Sequence, residues 1–397
     1  MKFVIYLLLM TGSIALTPGN LMAQNKSSER IVWSAPLQIP AAPGMAKQLG
    51  LAGVFTGLSN GVLIVAGGSN FADGAMPWQG GKKLHYDDVY VLQKTKGDVF
   101  TWLKPKTNQL LQKIAYGAST TIPQGVICVG GETEKEPGST RVFMMSWDIN
   151  KQDVVLTDLP SLPIPVANAC MSSIGQVIYL IGGESEGKPS AKCFTLNMAD
   201  KKARWKVFAA LPAAMSHSVA VTQSNGKYPC IYVIGGRSST ALGISALHGY
   251  TFCYDPLYNK WIKLGNVGDG KHITNMSAAT AIASGMHEIL LIGGDKGDVF
   301  HQIETYNALI AKAGTEEEKQ QLQQQKLTLL NNHRGFSKDV YLFNTLNYTW
   351  KKVGELPFYG QVTTTAVKWD NEIFIPGGEI KPGIRSAAIS MGKLKTK

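Results

Sequence analysis

The sequence lacks most of the signals that mark familiar chemistries. Its five cysteines, Cys128, Cys170, Cys193, Cys230 and Cys253, are an odd number without metal-ligand spacing. They read as small buried hydrophobes, so neither a disulfide framework nor a zinc site is expected, although an exported chain can oxidise a neighbouring pair. Phosphate-binding glycine loops and nucleophile motifs are missing, and no cofactor is implied. The formal net charge is +11, but the positive residues are scattered. Without basic helices or aromatic-basic runs, nucleic acid is a poor partner. A basic field attracts anionic small molecules, or simply keeps a lysine-rich surface in solution. Lys393, Lys395 and Lys397 read as a solvated tail.

Residues 1–23 carry an early Lys2, an apolar core from Phe3 to Met10, then small and polar residues up to Ala23. That order is a secretory signal peptide. The apolar run is too short to span about 30 Å of hydrocarbon and is interrupted by Thr11, Gly12, Ser13 and Pro18. Export to the periplasm or the medium is therefore expected, with no membrane insertion after the signal is removed.

What the chain has in abundance is glycine, 42 residues, against 44% hydrophobic and only 17% charged residues. This composition describes many short strands joined by turns. An apolar run ending in Gly-Gly recurs six times, at Val62 to Gly68, Val126 to Gly131, Val177 to Gly183, Ile231 to Gly236, Ile289 to Gly294 and Ile373 to Gly378. Four of the repeats end in a tryptophan, Trp102, Trp205, Trp261 or Trp350, while the second has Val154 there. Four strands per unit at roughly 50-residue spacing is the pattern of a kelch blade. Residues 24–397 are thus expected to form an all-β, six-bladed kelch-type propeller. The last repeat runs out before any tryptophan, whereas Ile31-Val32-Trp33 has no repeat before it. The N-terminal strand is therefore expected to complete the C-terminal blade and leave no open strand edge.

One segment departs from the blade pattern. A helical insertion is expected at about residues 304–336, centred on Glu316 to Leu330, which is rich in Glu, Gln, Lys and Leu. Its position after a Gly-Gly places it beside the channel mouth, as a wall or as a solvated decoration. The loop Ser69 to Tyr86 is long and glycine-containing enough to fold over the same mouth. Propeller closure gathers Ser69, Glu132, Glu184, Arg237, Asp295 and Glu379, each directly after a Gly-Gly, around one end of the channel. In the last of these loops Pro382-Gly383 forms a turn that brings Glu379 and Arg385 together. They form either a plain salt bridge or a proton-transfer group beside a carboxylate-binding guanidinium.

The repeats, the insertion, Tyr359-Gly360 and the run Gly378-Glu379-Ile380-Lys381-Pro382-Gly383-Ile384-Arg385 together resemble the N-acetylneuraminate epimerases, or sialic acid mutarotases. The resemblance covers essentially the whole chain after residue 23. It implies Glu379 as catalytic acid/base and Arg385 as a substrate-binding residue, with sialic acid or a related sugar acid as substrate. In better-known members the motif lies mid-chain, so the order here resembles a cyclically permuted mutarotase. The implied reaction interconverts α and β anomers through ring opening and closure. A non-catalytic carbohydrate- or protein-binding propeller is the rival reading. A copper-dependent sugar oxidase fits less well, because no tyrosine, cysteine and histidine pairing marks its site.

Overall fold

The computed structural model describes residues 30–71, 75–97, 99–241 and 243–395. The segment read as a signal peptide lies outside them, and no helix among the described residues is long and apolar enough to cross a membrane. Six four-stranded antiparallel sheets follow one another along the chain. Blade 1 covers residues 55–103, blade 2 residues 118–158, blade 3 residues 170–207, blade 4 residues 219–266 and blade 5 residues 280–355. Blade 6 comprises Val367–Trp369, Glu372–Pro376 and Ala388–Leu394, with Ile31–Gln38 as its outer strand. The inner strand of each blade stands against that of the next, and the sixth returns to the first. The chain is a six-bladed β-propeller with one helical insertion.

Burial explains the strand sequences. The second strands of blades 1 and 2, Val62–Ala66 and Gly125–Val129, are buried along their whole length. Packed on both faces by neighbouring blades, they need continuous rather than alternating apolar residues. The Gly-Gly pair that follows marks a close approach between blades. A Cβ on the first glycine would lie 2.1 Å from the Met276 carbonyl oxygen at Gly235 and 2.2 Å from that of Leu51 at Gly377. The second glycine then donates its N–H to the next blade, as from Gly236 to Met276 (2.8 Å) and from Gly378 to Leu51 (2.7 Å). Both glycines hold positive φ in all six copies, a conformation that costs glycine little.

The repeat tryptophans join blades through their indole N–H. Trp102 donates to the Gln38 carbonyl (3.0 Å), Trp205 to Pro160 (2.7 Å), Trp261 to Ala209 (2.8 Å) and Trp350 to the Thr251 hydroxyl (3.1 Å). In blade 2, Val154 pairs across the sheet with Trp147, which is almost fully buried and fills the space instead. Lys393 is part of the strand Ala388–Leu394, opposite Val32, rather than of a solvated tail. The expected tail begins too early because closure with the N-terminal strand extends the last blade. The five cysteines are free and buried. Ellman's reagent is accordingly expected to titrate none of them in the native protein and all five in denaturant.

The insertion consists of α1 (Asp298–Lys312) and α2 (Glu316–Asn331). It begins and ends several residues earlier than the expected 304–336, because α1 has a mixed composition that conceals it in sequence. Thr315 caps α2 by accepting from the Glu318 N–H (3.1 Å), and three glutamates in its first turn favour the helix dipole. Glu304 of α1 accepts from the backbone and hydroxyl of Ser245 (2.7 and 2.8 Å), fastening the pair to blade 4.

A ring of backbone hydrogen bonds closes the channel beneath the helices. The chain turns left-handed two residues ahead of the inner strands of blades 1–5 and four ahead of that of blade 6, at Gly53, Tyr116, Asn168, His217, Ala278 and Thr363, with φ of 68°, 58°, 53°, 55°, 52° and 54°. Each donates its N–H to the carbonyl of its counterpart in the preceding blade, ending with Thr363 to Ala278 (3.2 Å) and Gly53 to Thr363 (2.8 Å). Left-handed backbone costs a non-glycine residue on the order of 1–2 kcal/mol. Such a conformation persists only where the surrounding structure over-determines it.

Candidate active site

Directly above the ring stand the six residues that follow the Gly-Gly pairs. Ser69, Glu132, Glu184, Arg237, Asp295 and Glu379 each form a backbone bridge to the residue preceding a ring member, namely Ala52, Ala115, Ala167, Ser216, Ser277 and Val362. The same local geometry, repeated six times, therefore aims six polar side chains at one end of the channel.

Their surroundings separate them. Glu132 is engaged by Lys83 and by His85 Nε2 (3.1 Å). Burial pushes its carboxyl up, but His85 and Lys83 together bring it below the ordinary range. Glu184 accepts from Asn168 (2.9 Å) and Ser216 (2.8 Å). Asp295 and Glu379 line a cavity of about 310 Å³ together with Arg237, His217 and His333. The loop after the first Gly-Gly closes one side of it with Phe71, Pro77 and Trp78, and the helices close another with Phe300, Ile303 and Leu330. This volume suits a small ligand. A larger space of about 440 Å³ lies in the channel around the ring, but small side chains such as Ser119, Ala169 and Ala283 dominate its lining, which includes no carboxyl.

Glu379 and Arg385 face each other on a short hairpin, with Arg385 Nη2 3.5 Å from Glu379 Oε2. The Gly383 N–H donates to Glu379 Oε1 (3.0 Å). Gly383 has φ of 75°, and a Cβ there would meet Pro77 at 2.8 Å, so glycine lets the loop from blade 1 seat on the turn. Burial raises the Glu379 carboxyl above its ordinary 4.5 despite Arg385, and Asp295 adds to the rise. Asp295 is likewise raised by burial, against the pull of the Gly297 N–H and Arg237.

Arg385 does not line the cavity. Its side chain is 3% exposed, its Nη atoms donate to Ser69 Oγ (3.0 Å) and Tyr116 Oη (2.9 Å), and it lies 4.6 Å from the Phe71 ring centroid. Burial pushes the Tyr116 phenol up to about 12, so it stays a neutral partner of the guanidinium. The cation that does line the cavity is Arg237, 25% exposed, over the Phe300 ring at 5.1 Å and only loosely held by Glu184 (3.6 Å) and His217 (3.4 Å). Burial and Arg237 hold His217 well below its usual range, hence neutral. His333, lowered by burial and Lys381, accepts the Gly335 N–H at Nδ1 (3.0 Å), which places its own proton on Nε2. Sequence reading did not assign roles to Arg237, Asp295 or His333. The slot after Gly-Gly was the available signal for the first two, and His333 had none.

A propeller whose mouth is roofed by helices and lined by raised carboxyls and a part-exposed guanidinium defines a small-molecule site suited to proton transfer on an anionic polar ligand. A family profile described as "N-acetylneuraminate epimerase" matches residues 8–154 and 159–397, and the chain belongs to that family. It is 23% identical over 235 residues to the N-acetylneuraminate epimerase of Pasteurella multocida (strain Pm70), covering 59% of this chain and 58% of that protein. It is 33% identical over 131 residues to that of Vibrio vulnificus (strain YJ016), covering 31% and 32%. The match to the Yersinia pestis (strain Pestoides F) protein is 24% over 245 residues, covering 59% and 57%. The chain thus spans at most about three-fifths of the length of these curated relatives.

Proposed function

We propose that the protein is a mutarotase that interconverts the α and β anomers of N-acetylneuraminate or a related sugar acid, and that it acts after export to the periplasm or the medium. The reading rests on one observation above others: a carboxyl with raised affinity for protons, Glu379, in the wall of a roofed cavity of monosaccharide size. Ring opening removes a proton from the anomeric hydroxyl and delivers one to the ring oxygen as their shared carbon becomes a carbonyl. Closure on the opposite face of that carbonyl reverses both transfers. A carboxyl raised above its ordinary range holds a proton more readily, and so can return as well as take one. The test is proton NMR of freshly released α-sialic acid, whose equilibration the protein should accelerate. A purely binding propeller leaves that rate at its spontaneous value.

Within this reading Arg385 is a positioning residue that holds Glu379, while Arg237 takes the substrate carboxylate. Arg237→Gln is expected to raise KM for the acid about 10- to 100-fold, as loss of a charge-assisted hydrogen bond worth roughly 1.5–3 kcal/mol implies. The amide of the same sugar should be much less affected. Arg385→Lys keeps the charge but loses the fork to Ser69 and Tyr116. It is expected to lower kcat and shift the pH profile while leaving KM nearly unchanged. Steady-state kinetics of the two variants against acid and amide distinguishes the assignments.

A further inference from the structure

The mutarotase reading leaves open whether one group or two move the protons. Glu379 has both carboxylate oxygens engaged, Oε1 by the Gly383 N–H and Oε2 beside Arg385. A lone shuttle has to serve two oxygens on one carbon, the anomeric hydroxyl and the ring oxygen, and an anchored carboxylate has little freedom to do so. Asp295 occupies the equivalent slot in the neighbouring blade. Its backbone bridges Ser277 with bonds of 2.9 and 2.8 Å, as that of Glu379 bridges Val362 with bonds of 2.9 and 2.9 Å. Its Oδ1 accepts the Gly297 N–H (2.8 Å), whereas Oδ2 has no hydrogen-bond partner among the described residues. Both carboxyls line the same cavity, with Arg237 beside Asp295 for a carboxylate on the anomeric carbon.

We propose that Asp295 is the second catalytic group, working with Glu379 as a pair that shares one proton. In opening, the ionised member takes the proton of the anomeric hydroxyl, the C–O ring bond breaks, and the protonated member gives its proton to the ring oxygen. The product is the open-chain keto acid, and the pair has exchanged protonation states. Closure on the other face exchanges them back, so no proton is gained or lost over the cycle. The mutual repulsion of the two carboxyls favours the singly protonated state. Each member is then acid or base according to the direction of the step.

The inference rests on the mutarotase reading, and pH profiles separate the two. With spontaneous anomerisation subtracted, kcat/KM of the wild type should be bell-shaped, because the active form has one carboxyl ionised and one protonated. Asp295→Asn keeps an acceptor for the Gly297 N–H. It should lower kcat/KM about 10²- to 10³-fold and abolish the limb that falls towards high pH while the protein still folds. A purely structural Asp295 would alter stability but not the shape of the profile. A wild-type profile with only a rising limb overturns the pair, as does an Asp295→Asn protein within about threefold of the wild-type rate, an interval well below the 10²-fold floor for lost acid-base catalysis. Should that variant fail to fold, the wild-type profile alone decides. A wild type that does not accelerate anomerisation at all overturns the mutarotase reading itself, and the pair with it.

Discussion

Glu379→Gln is expected to lower the anomerisation rate by about 10²- to 10⁴-fold while the protein still folds and binds the sugar. Glutamine keeps the shape of the side chain and can still accept the Gly383 N–H, but it neither takes nor delivers a proton. The same substitution carries a pH signature. Burial raises the folded-state affinity of Glu379 for its proton. Its contribution to stability is therefore fully present below the unfolded-state value and is lost as pH rises through the folded-state one. The glutamine variant has no such loss, so its melting temperature relative to wild type should be higher at pH 7 than at pH 4. Wild-type activity should fall in acid, once protonation leaves no ionised carboxyl at the mouth to take the anomeric proton. Equilibration kinetics and thermal melts on the same two proteins check both. A folded glutamine variant with wild-type turnover would remove Glu379 from the mechanism, and equal melting differences at both pH values would contradict its perturbed affinity.

Removing residues 30–38 is expected to abolish the soluble, cooperative fold rather than to trim it. Ile31–Gln38 is the outer strand of the blade that contains the last strand of the chain, and Ile31 lies opposite Leu394. It also ties that blade to its neighbour. Arg30 Nη2 donates to both carboxylate oxygens of Glu288 in blade 5 (2.7 and 2.7 Å), and Trp33 meets Phe358 edge-on at 5.1 Å. The Gln38 carbonyl receives Trp102 of blade 1 on the other side. Deletion thus bares the edge of Ala388–Leu394 and loosens two interfaces at once, and an exposed edge recruits other chains. Size-exclusion chromatography should show aggregates, and calorimetry should show no native transition. A monomer that melts like the full chain would mean that closure does not depend on this strand.

The blade count was legible because six Gly-Gly pairs answer one steric need, the approach of each strand end to a carbonyl of the next blade. The partner of the N-terminal strand was legible from the repeat that ends without its tryptophan. Four of the six mouth residues are acids, and sequence alone does not say which of them meet a cavity. Lys83 and His85 of another loop claim Glu132, while Asn168 of the ring and Ser216, one residue before it, claim Glu184. Arg385 was read as open to substrate because its chemistry fits a carboxylate. Its burial depends on Phe71, Ser69 and Tyr116, which lie far away in the chain. The first half of the wall helix α1 falls outside the expected insertion for a different reason. Its cavity-facing Phe300 and Ile303 dilute the composition that made α2 conspicuous, so the helix that shapes the site is the less helix-like of the two.

The left-handed residues at the axis were not foreseeable, since Tyr116, Asn168, His217, Ala278 and Thr363 share no turn signature. Their arrangement has an electrical consequence. In a helix, aligned peptide dipoles add up and leave partial charges at the ends. Here six N–H···O=C bonds run head to tail around a circle, so their components in its plane cancel and the circle has no end at which charge can collect. The floor beneath a ligand therefore adds almost no lateral field of its own. Whatever directs an anion across that floor comes from the side chains standing on it, so exchanging the polar residue of a single blade is a way to re-aim the site without disturbing the platform.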